Sequence, residues 1–262
     1  MTTSITPTTI ATLKNPDQKI AFITGANRGI GFETARQLGK LGIFTVLGVR
    51  NADAGREAVA TLKAEGFDAD ALVFDATQPA DRDSAVAYFE KIAGRLDVLV
   101  NNAGVHLEGE PGSPPPYTAS TVPEKILRDT FETNFLAPVA VTQALLPLLR
   151  KSKAGRIVNL SSILGSLTLQ SDPASPIYDF KATAYDSSKT ALNAFTVQLA
   201  YELRNSTVKV NSAHPGWVQT SMGGSAAPMN VADGAKTSVL LATLPESGAN
   251  GGFFHMGDAL PW

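Results

Sequence analysis

The sequence predicts an α/β chain: a doubly wound parallel sheet with helices on both faces, folded as a single domain. Three observations predict it. Short apolar runs that stop at polar or glycine-containing tips alternate regularly with longer stretches of helical periodicity. The 262 residues are 44% hydrophobic, enough to bury a sizeable core, and α/β folds of this length are commonly one domain. No repeat or low-complexity linker divides the chain.

Taken in order, "KIAFITG" is the first strand. "FTVLGVR", "DALVFDA", "LDVLVNNAG", "GRIVNLSS" and "VKVNSAHPG" repeat its form, and "GGFFHMGD" is a last short strand. The helices between them are "GFETARQLGKLG", "GREAVATLKAEG", "DRDSAVAYFEKIAG", "TFETNFLAPVAVTQALLPLLRK" and one beginning near "AYDSSKT". Ligands of a doubly wound sheet bind at the carboxyl ends of its strands, so the polar tips are where chemistry is expected.

Charge and composition exclude several classes. The 22 Lys and Arg nearly balance the 24 Asp and Glu, leaving a net charge of −2 and no basic run. Nucleic acid and anionic membranes are therefore not expected partners. No apolar stretch approaches the ~20 residues needed to cross a bilayer. Residues 1–17 read as a flexible polar leader without the basic start and apolar run of a secretory signal, and residues 18–262 as the domain. With no cysteine, disulfides and thiolate metal sites are excluded, and the expected location is the cytoplasm.

The first tip, "TGANRGIG", sets Gly25, Gly29 and Gly31 between strand and helix. Glycines there allow a tight turn and a close approach of backbone to a pyrophosphate, whose charge meets the helix N-terminus. The spacing G-x-x-x-G-x-G differs from the general G-x-G-x-x-G fingerprint, so the position between strand and helix carries the reading. Further along, Tyr185 and Lys189 stand four residues apart and share one face of a helix, which brings ammonium close to phenol. Taken alone, that spacing is equally a solvated face with an amphipathic tyrosine.

Six motifs in order decide more than any one of them: "TGANRGIG", "NNAG", Asn134, "NLSSILG", "YDSSK" and "PGWVQT". With them the chain resembles the short-chain dehydrogenase/reductase family in its common short form, a Rossmann fold, over roughly residues 18–262. The resemblance implies that Tyr185 exchanges a proton with a carbonyl or hydroxyl oxygen while hydride moves to or from the carbon. Free tyrosine titrates at about 10, too high for exchange near neutrality, and a nearby cation lowers it. Lys189 is expected to supply that cation and to bond the nicotinamide ribose. Ser162 is expected to hold the substrate oxygen, with Ser161 the competing assignment, and Asn134 to anchor a water linking Lys189 to solvent.

The cofactor set implied by the resemblance begins with Gly25, Asn27, Arg28, Gly29, Ile30 and Gly31. Asn102, Ala103 and Gly104 follow, then Pro215, Gly216, Val218 and Thr220, with Tyr185 and Lys189. In dinucleotide-binding folds an acid at the second strand tip holds the ribose of NAD, and arginine there accommodates the 2′-phosphate of NADP. Here Val49 stands at the acidic position, Arg50 follows, and Arg28 sits inside the glycine-rich turn. The cofactor expected is therefore NADPH/NADP+. Asp75 is expected to frame the adenine, whereas Asp53 lies beyond the tip.

Three features depart from the plainest family pattern. The interval from Ser162 to Tyr185 is long and includes "SDPASPIYDFKA", which resembles the carbonyl reductase branch, as does the closing "GGFFHMGDALPW". The Pro-rich "HLEGEPGSPPPYTASTVPEK" either covers the site or is a tolerated surface insertion. "QTSMGGSAAPMN" stands where the family has a mobile substrate loop, and a lid is expected there. His106, His214 and His255 each fall near a strand tip and border one cleft in this reading, without the short spacings of a zinc site. His106, Ile163, Tyr178, Trp217 and Met222 are the expected substrate-lining residues, and no metal is expected.

The resulting expectation is an NADPH-dependent carbonyl reductase acting on a small-molecule aldehyde or ketone. A secondary-alcohol or steroid dehydrogenase running the reverse direction is the nearest alternative. A catalytically silent NADP(H) sensor is the alternative of another class, opposed by the intact Asn134, Ser162, Tyr185 and Lys189. The resemblance implies association through the helix that begins near the tyrosine, as in many family members, and an insertion just before it can obstruct that surface, so a monomer is expected ahead of a homodimer.

Overall fold

The computed structural model describes residue 13 and residues 15–262, so most of the leader expected over residues 1–17 lies outside the described residues. Eight strands form one sheet in the order β3-β2-β1-β4-β5-β6-β7-β8. They are β1 (Ile20–Thr24), β2 (Phe44–Val49), β3 (Ala69–Val73), β4 (Val98–Asn101), β5 (Arg156–Leu160), β6 (Lys209–Ala213), β7 (Phe253–His255) and β8 (Asp258–Ala259). The first seven run parallel. The single closing strand expected from the sequence is instead a hairpin, because β8 turns back antiparallel on β7 through Met256 and Gly257, both at positive φ.

Strand alternation explains the two cores. On β1, Ile20 and Phe22 join Phe44, Leu99 and Leu145 on one face, and Ala21 and Ile23 join Leu47, Val100 and Val158 on the other. Both faces are buried, which is why these strands read as continuous apolar runs. The helices that cover them are α1 (Gly29–Lys40), α2 (Ala52–Ala64), α3 (Pro79–Ile92), α4 (Glu124–Phe131), α5 (Ala137–Leu149), α6 (Leu167–Ser171), α7 (Thr183–Glu202) and α8 (Val231–Ala242).

Some helical features escaped the sequence reading, the short α6 among them. The stretch expected as one helix from residue 130 to 151 is α4, a π-helical turn over Glu132–Leu136, and α5. α8 follows the expected lid, capped by Asn230, whose side chain accepts from Asp233 N. The chain changes direction across the sheet between β1 and β4, and ligands of such sheets bind at the carboxyl ends beside that crossing.

Candidate active site

A cleft of about 860 Å³ opens at the carboxyl ends of the strands. Its first wall is the turn between β1 and α1. Gly25 and Gly29 hold φ of +65° and +59°, a region closed to most side chains. At Gly31 the constraint is contact: a Cβ there would run into Asn102 Nδ2 and lie 2.8 Å from Gly25 O. Asn102 explains the crowding, because its Nδ2 donates to Thr24 O at 2.8 Å and Gly25 O at 3.1 Å. Thr24 Oγ1 in turn accepts from the amides of Asn102 and Ala103. The "NNAG" tip of β4 is thus clamped to the glycine-rich turn.

This wall fits an anionic dinucleotide. No side chain caps the start of α1 and its first turn holds no acid, so its free amides are open to a phosphate. Arg28 and Arg50 line the same cleft, and neither forms an ion pair among the described residues. Val49 is buried, and Asp53 is occupied on the surface of α2 by Arg56. Asp75 lies two residues past the end of β3, where its carboxylate accepts from Thr77 N and Oγ1 while still lining the cleft.

The opposite wall carries the polar residues that the sequence singled out. Tyr185 sits in the first turn of α7, and Lys189 one turn later places Nζ 5.6 Å from the Tyr185 ring centroid. Lys189 is buried, and its Nζ donates to Leu160 O at 2.8 Å. Burial pushes its ammonium down to about 8. Burial also pushes the Tyr185 phenol up to about 12, opposed by a side-chain hydrogen bond with Ser162 and reinforced by the Asp186 charge. Among the protein's own groups, burial is thus the largest influence on the phenol.

Ser162 and Ser161 both line the cleft, but it is Ser162 that bonds Tyr185. Ser161 Oγ is buried with no partner among the described residues. Asn134 is fully buried in the π-helical turn and does not line the cleft. Its Oδ1 accepts from Val105 N at 2.8 Å, and its Nδ2 donates to Val105 O at 2.9 Å and Ser188 Oγ at 3.1 Å. It therefore locks the chain after "NNAG" against α7.

Gly104, His106, Ile163, Pro215, Gly216, Trp217, Val218, Thr220 and Met222 all line the cleft, as do Asn27 and Ile30. Tyr178 does not: its ring lies beneath Lys181 Nζ, 4.8 Å away, and Ile177 and Phe180 face the cleft in its place. His255 is also displaced from the lining, its ring tilted against that of His214 with centroids 4.9 Å apart. His214 Nδ1 accepts from Ile163 N, and burial pushes its pKa down to about 3, so it stays neutral.

Both long loops reach the cleft. Gly112, Ser113 and Pro114 of the Pro-rich segment line it, which favours covering over a bystander insertion. They meet the second loop backbone to backbone, a Cβ on Gly112 lying 3.0 Å from Gly223 O. Trp217 Nε1 donates to that same Gly223 oxygen at 2.8 Å, tying the expected lid down at its tip. Sequence reasoning missed Glu108 altogether, since a lone acid in a Pro-rich loop carries no local signal.

A family profile described as "short chain dehydrogenase" matches residues 19–230. The chain belongs to the short-chain dehydrogenase family. Within it the chain is 32% identical to (-)-isopiperitenone reductase of Mentha piperita over 309 residues, covering 93% of this chain and 98% of that protein. The NADPH-bound carbonyl reductase from chicken fatty liver superposes with a TM-score of 0.80 at 26% identity, covering 94% of this chain and 99% of that one. The carbonyl reductase Sniffer of D. melanogaster gives 0.77 at 32% identity, with 94% and 99% covered.

Proposed function

We propose that this short-chain dehydrogenase is an NADPH-dependent carbonyl reductase that converts an aldehyde or ketone to the alcohol. The observation that carries the reading is the meeting of Ser162, Tyr185 and Lys189 on one wall of a cleft whose other wall offers Arg28, Arg50 and the open N-terminus of α1. The reductase names of its relatives support it. Bound NADPH supplies the hydride.

The chain's own groups do the rest. Ser162 holds the carbonyl oxygen against Tyr185, and the phenol, kept protonated at neutral pH by its burial, gives that oxygen its proton. Lys189 supplies positive charge beside the phenolate that remains. Asn134 acts indirectly, by fixing Val105 and Ser188 around that pair. Arg28 and Arg50 receive the 2′-phosphate, and Asp75 borders the adenine. Val105, Ile163, Ile177, Phe180, Trp217 and Met222 give the substrate an apolar lining that excludes water.

Loss of reduced-cofactor absorbance with a panel of aldehydes and ketones tests the reading. Turnover with NADPH is expected, and no turnover on any carbonyl would favour the silent sensor. We also propose a monomer. The long interval between Ser162 and Tyr185 lies against the start of α7, where Lys181 Nζ donates to Gln170 Oε1 at 2.6 Å and Gln170 Nε2 donates to Asp186 Oδ2 at 3.0 Å, which supports that reading.

A further inference from the structure

The helix that carries Tyr185 has no cap of its own. Ala182 holds the N-cap position of α7 and offers no side-chain oxygen. The first amides of a helix nevertheless need acceptors. They receive one from far upstream: one oxygen of Glu108 accepts from Ala184 N at 3.0 Å, and the other accepts from Tyr185 N at 2.8 Å. Asp186 completes the cap by accepting from Ala182 N at 3.0 Å.

Glu108 is 1% exposed and does not line the cleft. A carboxylate so deeply buried is costly unless its oxygens are bonded, and here both are, at the positive end of a helix dipole. Its loop also meets the tyrosine at the ring, with the His106 ring tilted against it and the centroids 5.1 Å apart. The same loop continues to Gly112 and Pro114 in the roof of the cleft. A serine at position 182 would cap the helix locally. Capping from the loop instead joins the roof to the proton donor.

We propose that Glu108 is a positioning residue for the reduction: by accepting from the amide of Tyr185 itself, it fixes the phenol relative to Ser162 and couples it to the loop that roofs the cleft. The proposal rests on the reading of Tyr185 as proton donor. The titratable groups around that phenol are Lys189, His106, Asp186 and Glu108.

Full-length Glu108→Gln and Glu108→Asp variants test it. Glutamine keeps the length but turns an amide NH2 toward a backbone donor, and aspartate keeps the charge but falls short. Misplacement of a reacting group by an ångström costs up to about 100-fold, so kcat is expected to fall by about 10- to 100-fold in Glu108→Gln, with the KM for NADPH unchanged. Glu108→Asp is expected to fall between it and the parent. Ser152→Ala serves as the control, since it breaks a buried 2.5 Å bond to Asp97 at the other end of the strands; it should lower Tm and leave kcat alone.

A second readout needs no turnover. The ultraviolet difference titration of each protein against its own Tyr185→Phe counterpart reports the phenol, which should titrate lower in Glu108→Gln, because a phenol released from its buried position is better solvated. Parental kcat together with an unmoved titration would overturn the proposal. A parent inactive on every carbonyl, with the titration shift intact, would instead overturn the reductase reading and leave the positioning role standing.

Discussion

Burial pulls the acidities of Tyr185 and Lys189 together, the phenol up to about 12 and the ammonium down to about 8. A phenol held that high is protonated at neutral pH, the form a reduction consumes. Tyr185→Phe keeps the ring and removes only the hydroxyl. Turnover is expected to fall by about 10²- to 10⁴-fold while the cofactor still binds, and near-normal activity in a cofactor-binding variant would remove Tyr185 from the role. At the other wall, a charge-assisted hydrogen bond is worth ~1.5–3 kcal/mol, so Arg50→Ala should weaken NADPH about tenfold to a hundredfold. KM for NADH should change much less. A parent protein that used NADH better than NADPH would refute the roles given to both arginines.

Among the elements, α7 carries the largest concentration of unusual electrostatics. Its first turn holds Asp186, whose carboxyl is pushed from 3.8 up to about 7, chiefly by burial and further by the Glu108 charge, against bonds from Ala182 N and Gln170 and the Lys181 charge. The folded chain therefore binds a proton that the unfolded chain releases. The sign follows: Asp186 lowers stability progressively as pH rises from about 4 to about 7, and the loss is complete above that window. Asp186→Asn keeps an acceptor for Ala182 N without the charge. Its Tm is expected to depend less on pH across that window than the parent's, and parallel profiles would show that Asp186 does not titrate there. The π-helical turn at Asn134 has a comparable logic. It sits where one buried amide serves Val105 and Ser188 at once, and π turns commonly occur at functional sites.

At the scale of the whole molecule, the sheet gathers residues from distant parts of the chain at one edge, and the segment between Ser162 and Tyr185 shields the start of α7. A monomer is expected by light scattering at micromolar concentration, and a tight tetramer would show that the inserted segment leaves the helix free to pair. The parallel sheet, the glycine-rich turn and the Tyr185–Lys189 pair were legible in the sequence because each depends on local spacing: strand period, turn chemistry and helical repeat. Gly31 could be read as a close-approach glycine, but not that Asn102 is what crowds it. Tyr178 and Ile177 are adjacent in sequence and only packing decided which faces the cleft. The direction of the Tyr185 shift, the antiparallel hairpin at the end of the sheet and the capping of α7 by Glu108 were likewise decided by tertiary structure. Each arises from groups far apart in the chain, or from desolvation by the assembled fold, and neither quantity exists until the chain has closed on itself.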